Sequence, residues 1–182
     1  DRGKELLSED SVPGSGFLAN MTVRWEEATR PADDAGIRVV NTRSGMVLGA
    51  GGGVVGRMLP AFKLGLGGKF GNGRQYASWG SLTDALRIVQ HCLTTESITG
   101  PTNVAAPNPV TNAEFANTLA RVLSRPSVFP VPAIGLRLIF GEMAGMLLGG
   151  ARLDSSKLVN SGFEFRHSQL ESAFRSELGR RT

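Results

Sequence analysis

Side chains that can bind a phosphate or a sugar lie close together in one stretch that contains Arg74, Gln75, Ser78 and Trp79. Arginine and glutamine offer forked donors beside glycines, where a backbone can approach a ligand closely. Tryptophan offers an apolar plate. We therefore predict that Arg74, Gln75 and Trp79 bind a substrate. A surface turn anchored by the tryptophan is the alternative that residue chemistry alone leaves open.

A glycine pattern upstream of this stretch matches the spacing of a dinucleotide-binding loop. Residues 51–56 follow a predicted strand and precede a predicted helix, the context in which backbone N–H groups hold a pyrophosphate. No Asp or Glu closes a second strand about twenty residues later, where a ribose partner is expected. Residues 65–73 are themselves glycine-rich. We therefore favour a mobile loop that lines a cleft over a dinucleotide fingerprint.

Side chains for acid–base, nucleophilic or metal chemistry are scarce. His91 and His167 are far apart, and no cluster of Cys, Asp or Glu has metal-ligand spacing. Cys92 follows His91, but adjacent helical positions point in different directions, so the two do not form a nucleophile–base pair. Tyr76 is the only tyrosine, and no lysine follows it four residues later. The residues thus identify no catalytic group and no metal site.

Composition predicts a globular protein of about one domain or slightly more. The 182 residues are 41% apolar and 20% charged, and the net charge of +4 is spread along the chain. Scattered charge favours a solvated surface, so we expect no nucleic-acid partner. The longest apolar stretch, 131–148, contains Arg137 and Glu142, which argues against a membrane span, and we expect no membrane partner. The lone cysteine, Cys92, fits a cytoplasmic location.

Alternating helix and strand patterns predict an α/β fold for the first 110 residues. Apolar residues at helical spacing predict a helix over 17–35, which Pro31 interrupts. A β-branched run predicts a buried parallel strand over 37–42. Further elements are expected as a strand over 100–105 and as helices over 54–66 and 82–93, the last behind a capping box at 81–84.

Helices dominate the pattern after residue 110. A capping box at 111–114 begins one helix, an apolar helix is expected over 133–149, and a capping box at 168–171 begins the last helix. We therefore predict two domains, an α/β part over 1–110 and a small, mainly helical part over 111–182.

Several short phrases of the sequence together resemble one protein family, although each is weak by itself. They are residues 43–49, 62–68, 71–75, 78–79, 106–115 and 141–144. In this order and spacing the chain resembles the epimerase-like family of atypical extended short-chain dehydrogenases/reductases. Its members are often labelled NAD-dependent epimerases, nucleoside-diphosphate-sugar epimerases or cell-division inhibitors. The resemblance covers nearly the whole chain.

This resemblance implies the carboxy-terminal part of a Rossmann-like, doubly wound parallel sheet, followed by a small helical substrate domain. It also implies NAD or NADP as cofactor and a nucleotide-sugar-like substrate. The family's glycine-rich cofactor loop has no match in this sequence, which opens at Asp1 without an initiator methionine. We therefore expect a processed, trimmed or partial chain that binds the cofactor weakly or not at all.

The resemblance also implies roles for particular residues. Arg43, Ser44, Gly45, Met46 and Val47 resemble the strand end and loop beside the nicotinamide. Arg74 and Gln75 resemble the positions that face the phosphate or sugar of the substrate. Both placements fit the rule that ligands bind outside the carboxyl ends of parallel strands.

The family's Tyr-x-x-x-Lys pair is not matched, because Phe17 and Met21 stand near the two positions and neither side chain transfers a proton. The resemblance therefore leaves a non-catalytic dinucleotide-binding regulator as one alternative. A protein-interaction module that uses the apolar helix at 133–149 is another, and a homodimer is compatible with each. Because neighbouring strands are missing, we expect an exposed sheet edge, poor solubility and rapid amide exchange over 37–48.

Overall fold

The computed structural model describes residues 2–141 and 144–180 of the chain. The strands are β1 (Leu6–Leu7), β2 (Val40–Ser44), β3 (Met46–Leu48), β4 (Tyr76–Ala77), β5 (Trp79–Ser81), β6 (Gly100–Val104), β7 (Val110–Thr111) and β8 (Arg152–Leu153). The helices are α1 (Phe17–Glu27), α2 (Arg30–Asp34), α3 (Gly53–Lys63), α4 (Leu82–Thr94), α5 (Asn112–Val122), α6 (Ala133–Phe140), α7 (Ala144–Leu148), α8 (Ser156–Asn160) and α9 (Leu170–Glu177). The chain thus has the predicted α/β fold.

The described strands form four pairs rather than one continuous sheet. The longest is the parallel pair β2–β6, in which Val40 lies opposite Gly100 and Ser44 opposite Val104. β1 pairs with β8 and β3 with β5, both in parallel, while β4 and β7 are antiparallel. The strand predicted over 37–42 therefore exists, but it begins three residues later, and Ile37 is exposed.

The outer edge of β6 is closed by side chains. Lys157 Nζ donates to the carbonyl oxygens of Thr99 and Pro101 at 2.6 and 2.5 Å, and the carboxylate of Glu9 accepts the N–H of Asn103 at 2.8 Å. Because proline has no backbone N–H, Pro101 leaves no unpaired donor on this side of the strand. β6 is therefore protected against pairing with a further strand.

The opposite edge of the pair, along β2, is open. Gly100 N–H donates to Val39 O at 2.8 Å, and Gly45 N–H donates to Val104 O at 3.0 Å. In a parallel ladder this alternation turns the amides of Val40, Thr42 and Ser44 away from β6. Within residues 2–141 and 144–180 no strand pairs with this side of β2. The edge resembles an interior strand that lacks its neighbour.

Local sequence signals explain where two of the longer helices begin. Ser81 Oγ accepts the N–H of Asp84 at 2.9 Å at the start of α4, and Thr111 Oγ1 accepts the N–H of Glu114 at 3.2 Å at the start of α5. Two predicted capping boxes are thus confirmed as N-caps. The third is wrong, because α9 is preceded by Gln169, which makes no capping hydrogen bond.

Two predicted long helices are each divided. Pro31 lies in the first turn of α2, where its missing N–H costs nothing, so the 17–35 segment forms two helices. The 133–149 segment is divided at Gly141, which has a φ of 56° and ends α6. Residues 142 and 143, part of the phrase that resembles the family, lie outside the described residues.

Side chains of α3, β5, α5 and α9 form the larger hydrophobic cluster. Trp79, Phe62, Phe115 and Phe174 are almost completely buried there, and the last two rings meet edge to face at 5.1 Å between centroids. This cluster spans the predicted domain boundary at residue 110. A smaller cluster joins α4 to β6 and α8.

Helix α1 stands apart from both clusters. None of its residues is buried, and Phe17 and Trp25 are 80% and 67% exposed. The predicted apolar spacing does form a helix, but of its apolar side chains Met21 and Val23 are only half-buried and Phe17 and Trp25 stay exposed. No helix in the described part of the chain has the length and apolar character to cross a membrane.

Candidate functional site

A cleft of about 1160 Å³ lies at the carboxyl end of β2. Its walls come from the segment 7–12, one face of α1, β2 and the start of β3, and the segment 70–78. Part of α3, the start of α5 and the segment 145–153 also contribute to its walls. The open edge of β2 borders this cleft, which therefore lies where α/β proteins bind ligands.

Four of the five residues predicted to bind a cofactor line this cleft: Arg43, Ser44, Gly45 and Met46. Val47 does not, because successive side chains of a strand point to opposite faces and β3 turns Met46 toward the cleft. The structure thus brings most of the predicted loop together at one surface.

Arg43 is held by partners inside the chain. Its Nε and Nη2 donate to the two carboxylate oxygens of Glu26 at 2.6 and 2.7 Å, and its Nη1 donates to Glu9 O at 2.9 Å. The hydrogen bond from Arg43 is the main cause that lowers the pKa of Glu26, and burial opposes it. Arg43 therefore ties β2 to α1 and to the amino-terminal segment, with its charge already neutralised.

Gly45 is required by a close approach between strands. A Cβ atom at this position would lie 2.7 Å from the carbonyl oxygen of Ser78, which itself accepts the N–H of Met46 at 2.7 Å. The amides of Gly45 and Met46 are therefore both used in the fold. Ser44, which is exposed, keeps its hydroxyl free of hydrogen bonds to described residues.

Gln75 lines the cleft and is 8% exposed. Its Nε2 donates to Phe70 O and Leu147 O, both at 3.2 Å. Its Oε1 accepts no hydrogen bond from described residues, so this oxygen is available to a ligand. Gln75 thus links two walls of the cleft and offers one free hydrogen-bond acceptor.

The other two predicted substrate residues do not join Gln75 at the cleft. Arg74 is exposed, and only its backbone N–H is engaged, by Asn72 Oδ1 at 2.8 Å. Trp79 is 0% exposed, and its Nε1 donates to Asn108 O at 2.9 Å. Its ring packs in the larger hydrophobic cluster, so no face of it is free as a plate for a ligand.

The described lining contains few ionisable side chains: Glu26, Arg43 and Tyr76. The first two are paired with each other, as described above. Phe17 and Met21, which stand near the family's Tyr and Lys positions, are not among the lining residues. The cleft therefore offers hydrogen bonds and apolar contacts more than proton transfer.

The glycines at 51–53 are exposed and are not among the residues that line the cleft, whereas Val54 and Met58 of α3 are. The predicted loop thus leads into a helix that forms part of the wall. No group of three or more His, Cys, Asp or Glu among the described residues has the geometry to hold a metal ion.

Sequence reasoning missed Asn112 as a candidate for the site. This residue is 7% exposed and lines the cleft, and its Oδ1 accepts the N–H of Phe70 at 2.7 Å. Its Nδ2 has no hydrogen-bond partner among described residues. The only available signal was a polar residue directly behind the Thr111 cap, and we interpreted it as helix capping alone.

Comparisons with known proteins find relatives that carry one shared name, epimerase family protein. A family model described as a domain of unknown function, DUF1731, matches residues 131–177. An epimerase family protein of Mycobacterium bovis is 43% identical over 170 residues, which are 92% of this chain and 56% of that relative. An epimerase family protein of Bacillus subtilis, YfhF, is 37% identical over 171 residues. The chain spans about half the length of the curated relatives it matches.

Solved structures show the same relationship. The structure of human epimerase family protein SDR39U1 with NADPH superposes with a TM-score of 0.90 at 37% identity, covering 97% of this chain and 60% of that one. A nucleoside-diphosphate sugar epimerase from Corynebacterium glutamicum gives a TM-score of 0.76 at 37% identity, covering 98% of this chain and 34% of that one. Over most of its length the chain is therefore similar to proteins named as epimerase family members, and it has the same Rossmann-like fold.

Proposed function

We propose that this chain supplies the substrate-side wall and part of the nicotinamide-side loop of an NAD(P)-dependent nucleotide-sugar epimerase-like oxidoreductase. One observation carries the proposal: the segment 43–46 and Gln75, which were predicted from the sequence to face cofactor and substrate, border the same cleft. Their meeting at the carboxyl end of β2 is the arrangement that ligand sites of α/β folds use.

The residues present fit the nicotinamide end of a dinucleotide better than its phosphates. The one guanidinium in the described lining belongs to Arg43 and is paired with Glu26, so a pyrophosphate finds no free cation there. Ser44 offers a free hydroxyl, and Met46 offers an apolar surface for the flat nicotinamide ring. When bound, NAD(P) would accept and return a hydride. Because the phosphates need other partners, we expect weak or absent cofactor binding by this chain alone.

On the substrate side, Gln75 and Asn112 offer complementary groups. The free Oε1 of Gln75 can accept a hydrogen bond from a sugar hydroxyl, and the free Nδ2 of Asn112 can donate one. Both side chains are almost completely buried and braced by backbone groups, so they are held in place before a ligand arrives. Pre-ordered donors and acceptors of this kind favour affinity, because little side-chain entropy is lost on binding.

One structural neighbour supports the cofactor part of the proposal. The structure of the human relative, SDR39U1, contains NADPH. Several proteins with the same fold at 14–17% identity are named as epimerases that act on UDP-linked sugars. At that level of identity they inform the fold alone, so the substrate class rests on the cleft and on the family.

The test uses a protein in which this chain replaces the 170 matched residues of the Mycobacterium bovis relative. Affinities for NADPH and for UDP-glucose are measured by calorimetry. We expect Gln75→Leu to weaken UDP-glucose binding about tenfold, the loss of about one hydrogen bond, and to leave NADPH affinity unchanged. Gln90→Leu, on the exposed surface of α4, is the control. Equal UDP-glucose affinities for both folded variants refute the substrate-side assignment.

A second candidate is a non-catalytic dinucleotide-binding regulator. The absence of an unpaired acid or base among the described lining residues, Tyr76 apart, favours it. In the same replacement protein, tight NADPH binding without hydride transfer to any of a panel of UDP-sugar derivatives supports the regulator. Measurable turnover excludes it.

A further inference from the structure

Two long stretches of the sequence contain no acidic residue. No Asp or Glu occurs over 44–83 or over 115–141, whereas Lys or Arg occurs four times in the first stretch and three times in the second. Any carboxylate that neutralises these cations must therefore come from another part of the chain, as Glu171 does for Arg121.

The structure places parts of these stretches side by side. Val131 N–H donates to Lys69 O at 2.8 Å, and Gly71 N–H donates to Val131 O at 2.9 Å. A Cβ atom at Gly68 would overlap the carbonyl oxygen of Phe129, so the two backbones touch. The segments 63–69 and 125–138 consequently form one continuous surface.

Ten exposed side chains on these segments define what we call the basic–apolar surface. Its cations are Lys63, Lys69, Arg125 and Arg137, all exposed and without an ion pair to any described residue. Its apolar members, 60–82% exposed, are Leu64, Leu66, Val128, Phe129, Ile134 and Leu138. Large apolar side chains that are exposed together and rimmed by one charge mark an interaction surface.

Helix α6 shows how the two kinds of side chain are combined. Ile134, Arg137 and Leu138 occupy neighbouring positions of one helical face, and all three are exposed. Leu136, on the opposite side, is 3% exposed. The exposed face of α6 therefore carries both charged and apolar side chains, while the opposite side of the helix is buried.

We infer that the basic–apolar surface binds an anionic lipid bilayer at its interface. A second copy of the chain is unsuitable, since two surfaces with only positive charge repel each other. A partner helix needs a groove, and none of the six apolar side chains lines either of the two described cavities. Protruding Leu and Phe side chains beside Lys and Arg match the acyl boundary and headgroups of an anionic leaflet.

This contact lies on the membrane surface and needs no spanning helix. It departs from the expectation of no membrane partner, which rested on Arg137 and Glu142 interrupting the longest apolar stretch. The fold gathers charges that are more than fifty residues apart, such as Lys63 and Arg125.

The experiment is vesicle flotation of the 182-residue chain. Vesicles of phosphatidylcholine with about one third phosphatidylserine are compared with pure phosphatidylcholine, at low and high salt. We expect binding to the anionic vesicles only, weakened by salt. Each Lys or Arg near an anionic surface contributes about fivefold in affinity, so the double charge reversal Lys63→Glu with Arg137→Glu should lower the partition coefficient at least about 25-fold.

Matched controls separate this surface from general stickiness. Arg166→Glu with Arg180→Glu reverses the same charge at exposed positions elsewhere and should retain most of the binding. For the apolar part, Phe129→Ser with Leu138→Ser should reduce binding, whereas Phe17→Ser with Leu18→Ser on α1 should not. All substituted residues are exposed, so circular dichroism is expected to show unchanged folding.

Three outcomes overturn the inference. One is no flotation with anionic vesicles, and another is equal loss in the surface variants and in their controls. The third is tight binding to an acidic amphipathic peptide without binding to vesicles, which would reassign the surface to an acidic protein partner.

Discussion

Replacing the buried carboxylate of Asp84 by an amide should destabilise the fold strongly. Asp84 is 1% exposed at the start of α4. Its Oδ1 accepts hydrogen bonds from Arg87 Nη1 at 2.9 Å and from Arg166 N–H at 3.0 Å, and its Oδ2 accepts from Ser81 Oγ at 3.1 Å and from His167 N–H at 2.9 Å. One carboxylate thus fastens the segment 166–167 to α4.

The expected loss of unfolding free energy follows from the number of hydrogen bonds that an asparagine side chain can keep at this position. In Asp84→Asn the remaining oxygen can serve the Arg87 side, but the new NH₂ group then faces the N–H of His167, donor against donor. A hydrogen bond to a charged group contributes about 1.5–3 kcal/mol, so we expect a loss of about 2–4 kcal/mol of unfolding free energy. The same segment holds Phe163 and Phe165 against α4, so the loss is not local.

The assay is urea unfolding followed by circular dichroism. The control is Asp154→Asn, because the half-buried Asp154 carboxylate serves only the Ser156 N–H and hydroxyl in its own turn, where asparagine is well tolerated. We expect the control to change stability by less than about 1 kcal/mol. If Asp84→Asn costs no more than Asp154→Asn, the fastening role is refuted.

The pH dependence gives a second check on Asp84. Burial would raise its pKa, but the hydrogen bonds from Arg166, His167, Ser81 and Arg87 outweigh it, so the pKa is lowered overall. A carboxyl with a lowered folded-state pKa contributes stability above its unfolded pKa of about 4 and loses it as pH falls through the folded-state value. The difference between wild type and Asp84→Asn should therefore shrink in acid. A difference that grows below pH about 4 contradicts the assignment.

Three further predictions concern the walls of the cleft. Gly45→Ala should lower the free energy of unfolding by about 1–3 kcal/mol, because the new Cβ would lie 2.7 Å from Ser78 O. Gly135→Ala in α6, where nothing lies within 4 Å of a Cβ, should be neutral or stabilise by up to about 1 kcal/mol. Urea midpoints in the opposite order contradict the close approach at Gly45. A double-mutant cycle of Arg43→Ala and Glu26→Ala should give a coupling energy of only about 1 kcal/mol, because both side chains are about one-third exposed. This coupling should fall as acid protonates Glu26. Additive effects of the two substitutions at neutral pH contradict the ion pair. Amide exchange by NMR should be fast at Val40, Thr42 and Ser44 and slower at Asn41, Arg43 and Gly45; uniform protection along β2 contradicts the open edge.

Local signals in the sequence predicted the elements well. The N-caps at Ser81 and Thr111 were found because their physics involves only the next few residues. The strand β2 was predicted from a compact β-branched run that follows a glycine, and a short strand was also predicted where β6 lies. The interruption at Pro31 was predicted, but not that a second helix begins there, since a proline that begins a helix and one that bends it look alike in sequence. The division at Gly141 was not predicted.

The site was predicted only in part, because its assembly depends on long-range packing. The segment 43–46 and Gln75 line the cleft, but Trp79 is buried in the core. Arg43 is hydrogen-bonded to Glu26, which lies seventeen residues earlier in the chain. Neither event leaves a local signal. Asn112 was missed for the same reason: its use depends on the neighbouring 70–75 segment, which only the fold brings near.

The most direct test of the proposed cofactor position is hydrogen exchange with and without NADPH. It uses the protein in which this chain replaces the matched residues of the Mycobacterium bovis relative. We predict that NADPH slows amide exchange at 40–46, with smaller effects at 75–78, and leaves α6 and α9 unchanged. Slowing confined to other parts of the chain, with 40–46 unaffected, would contradict the placement of the nicotinamide beside β2.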